Sequence, residues 1–151
     1  MAYCFCILYH VTVIPRKRLE EKGIIPQLLS PSIGVPLLEA ASMEEQEDLV
    51  KLWEALLEAA MDPTKARAVR RGFVETLKLF DPADALVFQF VSALRMQSLK
   101  DLVGCTPEPA NSVYISIENL VKLRVVRGDT SDFILSPYGA ELKRALGLPS
   151  L

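Results

Sequence analysis

The sequence predicts a mainly α-helical protein: a helical bundle that ends in a short β-hairpin and a final helix. Apolar residues recur at helical spacing through most of the chain beyond residue 36. Only two short runs near the C-terminus, 123–127 and 133–135, are typical of strands. The 151 residues are 50% hydrophobic and 24% charged, which excludes a disordered chain and suits one compact domain.

The chain opens with an apolar stretch, residues 1–14, that is followed by three basic residues. A secretory signal carries its positive charge before the apolar region, and a membrane span needs roughly 20 apolar residues. We therefore expect a buried strand or helix here and no membrane association. Residues 24–36 contain three prolines and predict a linker. The expected organisation is an N-terminal apolar segment and Pro-rich linker at 1–35, then a domain at 36–151.

The middle of the chain predicts a series of helices. Residues 37–41 suit one helical turn, and Ser42 followed by Glu45 matches a capping box at the start of a long helix over 43–62. A second helix is expected to end near Phe80, and Asp81 followed by Pro82 suits the start of a third, whose buried stripe extends to Leu94. After a loop that holds at most a short helical turn, a fourth helix over 112–122 completes the series.

The last thirty residues predict a hairpin and a terminal helix. The two strand-like runs are separated by residues 128–132, which are rich in turn-forming types, and Ser136 with Pro137 can begin the final helix. Helix, helix, helix, hairpin, helix is the order expected of a winged-helix unit, in which the hairpin is the wing and the fourth helix of the chain is the recognition helix.

Charge is divided unevenly between two neighbouring segments. Residues 43–62 hold seven acidic residues against a single lysine, whereas residues 64–78 are mainly basic. One expectation is that the two segments pair with each other as complementary helices. The alternative is a phosphate-binding patch. It would be formed by Lys65, Arg67, Arg70 and Arg71.

Cysteine and histidine usage argues against a metal or catalytic centre. Cys4, Cys6 and His10 could form a metal half-site, but structural zinc needs four ligands and the chain has no second histidine. Three cysteines without framework spacing are expected of a reducing cytoplasm. Cys105 is the one isolated candidate nucleophile, and no base for it is evident. The sequence therefore predicts no catalytic residue, no bound metal, no cofactor and no small-molecule substrate.

Several motifs in order resemble the bacterial abortive infection alpha (Abi-alpha) family. They are Leu-Glu-Ala-Ala-Ser at 38–42, the acidic stretch and the Trp53 helix that ends in Asp62 and Pro63, the restart at Asp81, and Leu-Ser-Pro-x-Gly at 135–139. The resemblance covers roughly residues 36–146. Arg124 stands where the family's turn would be expected to have glycine. The resemblance implies a part in the bacterial response to phage infection.

Three classes of function remain open at this level. The first is a non-enzymatic module that acts by contact with a protein partner, by sensing or by self-association. The second is a winged-helix DNA-binding regulator, although Glu118, Asp129 and Asp132 would repel phosphates. The third is a toxin-like enzyme that uses Cys105. The candidate contact residues of the winged-helix unit are Tyr114, Asn119, Lys122, Arg124 and Arg127.

Overall fold

The computed structural model describes the backbone of residues 2–150 and the side chains of residues 12–150. The chain divides into two compact units, residues 1–79 and 80–151, where its length suggested one. The boundary expected between residues 35 and 36 falls inside a helix of the first unit. The architecture is mainly helical with one two-stranded antiparallel hairpin near the C-terminus, as the sequence predicts.

The described part of the first unit consists of helices and the segments that connect them. The apolar opening forms a helix, one of the two expected structures, and the turn at Gly23 ends it in the left-handed region that glycine favours. The unit consists of α1 (Ala2–Glu21), α2 (Pro31–Ser42), α3 (Glu47–Met61), a single 3₁₀ turn (Ala66–Ala68) and α4 (Arg71–Leu77). Its core is centred on Trp53, Leu56 and Phe73, which are almost completely buried.

The expected linker ends earlier than the sequence suggested, because α2 begins at Pro31 rather than after Pro36. Proline is favoured at the first helical position, where its missing N–H is not needed. Pro36 removes only the bond that would reach the carbonyl of Ser32. The prolines of this segment are therefore compatible with helix, one at its first position and one in its interior.

The predicted capping box at Ser42 is also wrong. Ser42 is the last residue of α2, and its Oγ donates a hydrogen bond to the carbonyl oxygen of Glu39 at 2.8 Å. The turn before α3 is instead held by Glu44, whose Oε1 accepts the backbone N–H groups of Glu45 at 3.1 Å and Gln46 at 3.0 Å. The long helix consequently begins at Glu47, four residues later than expected.

In the second unit the elements follow the predicted order. They are α5 (Pro82–Phe90), α6 (Leu99–Val103), α7 (Ala110–Lys122), β1 (Val126–Gly128), β2 (Phe133–Leu135) and α8 (Pro137–Ala145). The helix α7 begins slightly before the expected cap, and α5 ends at Phe90, so Leu94 lies beyond the helix and is 77% exposed instead of buried.

Gln97, in the segment between α5 and α6, pairs with Phe133 of β2 as an isolated antiparallel bridge. Val126 lies opposite Leu135 in the register of the two strands, and both are buried. On the other side of β2, the backbone N–H of Gln97 donates to the carbonyl oxygen of Phe133 at 2.8 Å, and the reverse bond measures 2.9 Å. This bridge fixes the hairpin against the connection that follows α5.

The start of α8 packs directly on the backbone that leads into β1. The Oγ of Ser136 accepts the N–H of Gly139, and a Cβ added at Gly139 would lie 2.0 Å from the carbonyl oxygen of Val125. No side chain can occupy that space without displacing backbone. Glycine is therefore required here by close approach.

We predict that Gly139→Ala lowers the free energy of unfolding by about 2–3 kcal/mol, because the new methyl group overpacks a backbone contact. Urea denaturation measures the change. Gly104→Ala is the matched control, since a Cβ at Gly104 meets no atom within 4 Å and its φ is ordinary. Equal stabilities of the two variants would contradict the close approach.

Candidate functional site

The outward face of α7 exposes an unusual mixture of side chains. The helix buries Val113, Ile117 and Leu120 against the core of its unit. On the opposite face Tyr114 is 41% exposed and Ile115 is 62% exposed. The charged members of that face are Glu118 and Lys122, one acid and one base.

A groove lies between this face and the hairpin. Its volume is about 340 Å³, and its walls come from α7 on one side and the tip of the hairpin on the other. The lining residues are Tyr114, Ile117, Glu118, Val121, Lys122, Gly128, Asp129 and Thr130. The groove therefore combines an aromatic ring and aliphatic side chains with three charged groups.

The charge of this groove is slightly negative. Asp129 accepts the backbone N–H groups of Ser131 and Asp132, and these hydrogen bonds hold the pKa of its carboxyl below the usual range. With Asp129 ionised, the groove holds two carboxylates against the single cation of Lys122. Such a lining repels phosphate and suits a partner that is largely neutral or weakly basic.

Of the five candidate residues in this unit, the structure brings Tyr114 and Lys122 together in the groove. Arg124 and Arg127 are exposed but do not line it. Arg127 lies opposite Ile134 in the hairpin, and Arg124 occupies the turn before β1. The backbone of Arg124 has a φ of 60°, in the left-handed region that favours glycine, as the family resemblance implied for this position.

Asn119 faces the interior of its unit rather than the groove. It is half-buried, and its Nδ2 donates to the carboxylate of Asp84 on α5. Asp84 also accepts the backbone N–H of Asp81 at 2.9 Å, within the capping box that begins α5. Burial raises the pKa of the Asp84 carboxyl, while hydrogen bonds from Asp81, Ser116 and Asn119 oppose that rise. Asn119 thus links α7 to α5.

The basic segment of the first unit is exposed, and only Lys65 acts on a carboxylate, that of Asp62, among the interactions resolved for the described side chains. Lys65, Arg67, Arg70 and Arg71 all lie at the surface, and within the described side chains none of them forms a salt bridge. The acidic helix α3 pairs with α1 instead. Arg18 lies 3.0 Å from the carboxylate of Glu54, and Lys22 pairs with Glu58.

Within the described side chains, no salt bridge joins the acidic helix to the basic segment. A hydrogen bond from Thr64 lowers the pKa of the Asp62 carboxyl at the end of α3, and Lys65 lowers it further, which is the one trace of the expected pairing among those side chains. Glu54 and Glu58, in the second half of α3, face α1, which packs along that helix. The four cations remain together as a local positive surface, although the chain as a whole has a net charge of −2.

Chemistry-bearing residues outside these surfaces form no recognisable centre. Cys105 is exposed, and its thiol donates to the carbonyl oxygen of Asp101. Among the side chains from residue 12 onward, no group of three or more His, Cys, Asp or Glu could hold a metal ion. Cys4, Cys6 and His10, for which the sequence argues against a metal half-site, lie outside the residues whose side chains are described. No helix in the described range is long and apolar enough to cross a membrane.

The sequence does not predict that the charged residue Lys143 is buried. Lys143 on α8 is 2% exposed, and its Nζ donates to the carbonyl oxygens of Gln89 and Val91, each at 2.8 Å, where α5 ends. Burial lowers the pKa of Lys143 to about 8. Nζ also lies 6.0 Å from the centre of the Phe88 ring. These enclosed contacts hold α8 against α5.

Together the two units make a helical protein with a weakly charged groove on one unit and an exposed basic segment on the other. The family model for abortive infection alpha matches residues 11–140, and the chain belongs to that family. The match begins 25 residues before the expected start at residue 36, so it includes the second half of α1 and the whole of α2. Neither the curated proteins nor the solved structures include a match to this chain.

Reversing two charges of the basic segment should leave the fold unchanged. We predict that Arg70→Glu with Arg71→Glu shifts the melting temperature by less than about 2 °C, because surface charges without partners contribute little to stability. Arg18→Glu is the contrasting variant and should cost about 3 kcal/mol, since it leaves Glu54 buried without its cation. Thermal and urea denaturation measure both. A marked loss of stability in the double variant would show that these arginines have a structural role.

The buried lysine predicts a specific pH dependence of stability. Because the pKa of Lys143 is about 8 when folded and 10.5 when unfolded, the unfolded chain binds more protons between those values. The free energy of unfolding therefore gains a contribution that rises with pH across this window. We predict that the free energy of unfolding of the native chain, minus that of Lys143→Met, becomes more positive from pH 8 to pH 10. Urea denaturation of both chains measures this. Lys100→Met, an exposed control, should show no such trend.

Proposed function

We propose that this protein acts in the response to phage infection as a non-enzymatic module, and that it binds a protein partner through the outer face of α7 and the adjoining groove. One observation carries the proposal: Tyr114 and Ile115 are exposed together on α7 beside a groove with more carboxylates than cations. Exposed aromatic and aliphatic side chains with few charges are typical of the centre of a protein interface.

Two further features support this proposal. The order of α5, α6, α7, hairpin and α8, with Gln97 bridging to Phe133, agrees with a winged-helix unit used for protein contact. A DNA reader usually concentrates lysine and arginine on its recognition helix, whereas α7 presents Lys122 as the one cation of its exposed face. We place the contact in the bacterial cytoplasm, because three cysteines without framework spacing suit a reducing compartment.

Site-specific photo-crosslinking tests the proposed surface. With a photoreactive phenylalanine at position 114, irradiation of infected and uninfected bacteria should yield one discrete protein adduct. The same group at the exposed Lys100 position should not yield it. Tyr114→Ser with Ile115→Ser should abolish capture of that partner and reduce protection against phage by at least tenfold in plaque counts, with an unchanged melting temperature.

Two outcomes would contradict the proposal. The first is salt-dependent binding to random duplex DNA, measured by fluorescence anisotropy, that is lost when Lys122, Arg124 and Arg127 are replaced by alanine while protection is lost in parallel. The second is loss of protection in Cys105→Ser, because this exposed thiol does not line the groove and would then have a chemical role.

A further inference from the structure

The helical hairpin formed by α2 and α3 carries opposite charge at its two ends. A four-residue connection joins the helices, and they pack against each other along their length. The backbone N–H of Gln27, just before α2, donates to the carbonyl oxygen of Met61 at the end of α3, at 2.8 Å. Because α3 has 15 residues, its two ends lie about 22 Å apart.

The first end is an acidic turn, which we define as residues 43–48. The carboxylate of Glu44 holds the turn by accepting the backbone N–H groups of Glu45 and Gln46, and Glu47 pairs with Lys51 at 3.1 Å. Glu45 and Asp48 have no salt bridge within the described side chains. At the head of this acidic turn, Met43 projects an apolar side chain that is 83% exposed.

The opposite end is a basic groove, a cavity of about 190 Å³ beside the end of α3. Its walls are mainly apolar. They comprise Gln27, Leu29, Ser30, Ile33, Ala60, Ala66 and Arg67. Arg67 thus belongs to the lining itself, and Lys65, Arg70 and Arg71 lie within four residues of it along the chain. The groove is an apolar pocket at an end of the hairpin where Arg67, Arg70 and Arg71 form no salt bridge within the described side chains, while Lys65 lowers the pKa of the nearby Asp62.

We propose that the acidic turn of one molecule binds in the basic groove of a second copy of this chain. The two surfaces are complementary in sign, and each combines exposed charges with an apolar element: a projecting methionine on one and a small cavity on the other. A methionine side chain is flexible enough to fill such a cavity, and Arg67 lies where it can bind the carboxylates that flank it.

The geometry makes this contact intermolecular. An acidic turn and a groove at opposite ends of the same rigid hairpin cannot meet within one molecule. The contact is therefore heterologous, with different surfaces on its two sides, and each molecule can donate its turn while it accepts another. Assembly then grows with concentration into a ring or a filament. It is distinct from the α7 surface, which belongs to the second unit.

A polyanion such as nucleic acid is the other occupant that four cations could bind. It would contact the arginines but would leave the apolar lining of the groove and the exposed Met43 without a role. A second copy accounts for both surfaces at once. The observations therefore favour self-association over binding of nucleic acid.

A charge-swap experiment on the full chain tests the proposal. Sedimentation velocity at low salt should show that the native chain self-associates as its concentration rises. Glu45→Lys with Asp48→Lys, and separately Arg70→Glu with Arg71→Glu, should each weaken association by at least tenfold. An equimolar mixture of the two variants should restore it, because the reversed turn of one then matches the reversed groove of the other. Met43→Ser should also weaken assembly, and added salt should dissociate it.

The control is Lys17→Glu with Glu21→Lys, which reverses two exposed charges on α1 that form no salt bridge with any other described side chain and should leave association unchanged. Thermal denaturation of each variant confirms that it is folded. A native chain that remains monomeric at low salt, or a mixture that stays monomeric, would overturn the proposal. Binding of random RNA or duplex DNA that is lost in the Arg70 and Arg71 variant, without self-association, would assign the groove to nucleic acid instead. None of these results depends on the partner captured at Tyr114.

Discussion

The ion pair between Arg18 and Glu54 determines which charges of the first unit remain available to a partner. Glu54 lies on the buried side of α3, where an unpaired carboxylate would be costly, and Arg18 on α1 supplies its cation at 3.0 Å. Lys22 does the same for the less buried Glu58. Because Glu54 and Glu58 are already paired with Arg18 and Lys22, they form no salt bridge with the basic segment that follows α3. That segment keeps a positive surface at 65–71, in which Lys65 acts on the carboxylate of Asp62.

Buried polar groups have a comparable role in the second unit. Asp84 binds the start of α5 and receives a hydrogen bond from Asn119 on the inner side of α7, while Lys143 holds α8 against the last carbonyls of α5. The hydrogen bond between Asn119 and Asp84 holds the inner face of α7 against α5. The outer side chains of α7, including Tyr114 and Ile115, are consequently not needed for packing and can be used for contact with another molecule.

The sequence predicts best what depends on neighbours along the chain. The hairpin and the cap at Ser136 follow from local turn and capping chemistry, and the structure confirms both. The glycine expected at position 124 from the family resemblance agrees with a left-handed backbone there, although arginine occupies it. The start of α2 at Pro31 was missed because a favourable first-turn position was interpreted as a helix breaker.

Features that depend on distant segments could not be predicted in the same way. The partner of the acidic helix is α1, some thirty-six residues away, and charge pattern alone favoured the nearer basic segment. Asn119 resembles a base-reading residue until Asp84 is placed beside it. Lys143 is a polar residue next to the buried Leu142, and only the position of the α5 carbonyls explains its burial. Met43 is an exposed apolar residue in the acidic turn, and only the structure shows that the basic groove lies at the opposite end of the same helical hairpin.

The two proposed contacts differ in chemistry, and this difference has a physical consequence for a defence protein. Association through the acidic turn and basic groove is governed by charge, so it depends steeply on concentration and salt. The α7 face is mainly aromatic and aliphatic, and a single such face gives a modest affinity. In a head-to-tail assembly many α7 faces would be presented together, and a partner with repeated sites would bind them with an avidity that one copy cannot reach. A weak surface on one unit thereby becomes an effective one through charges carried on the other.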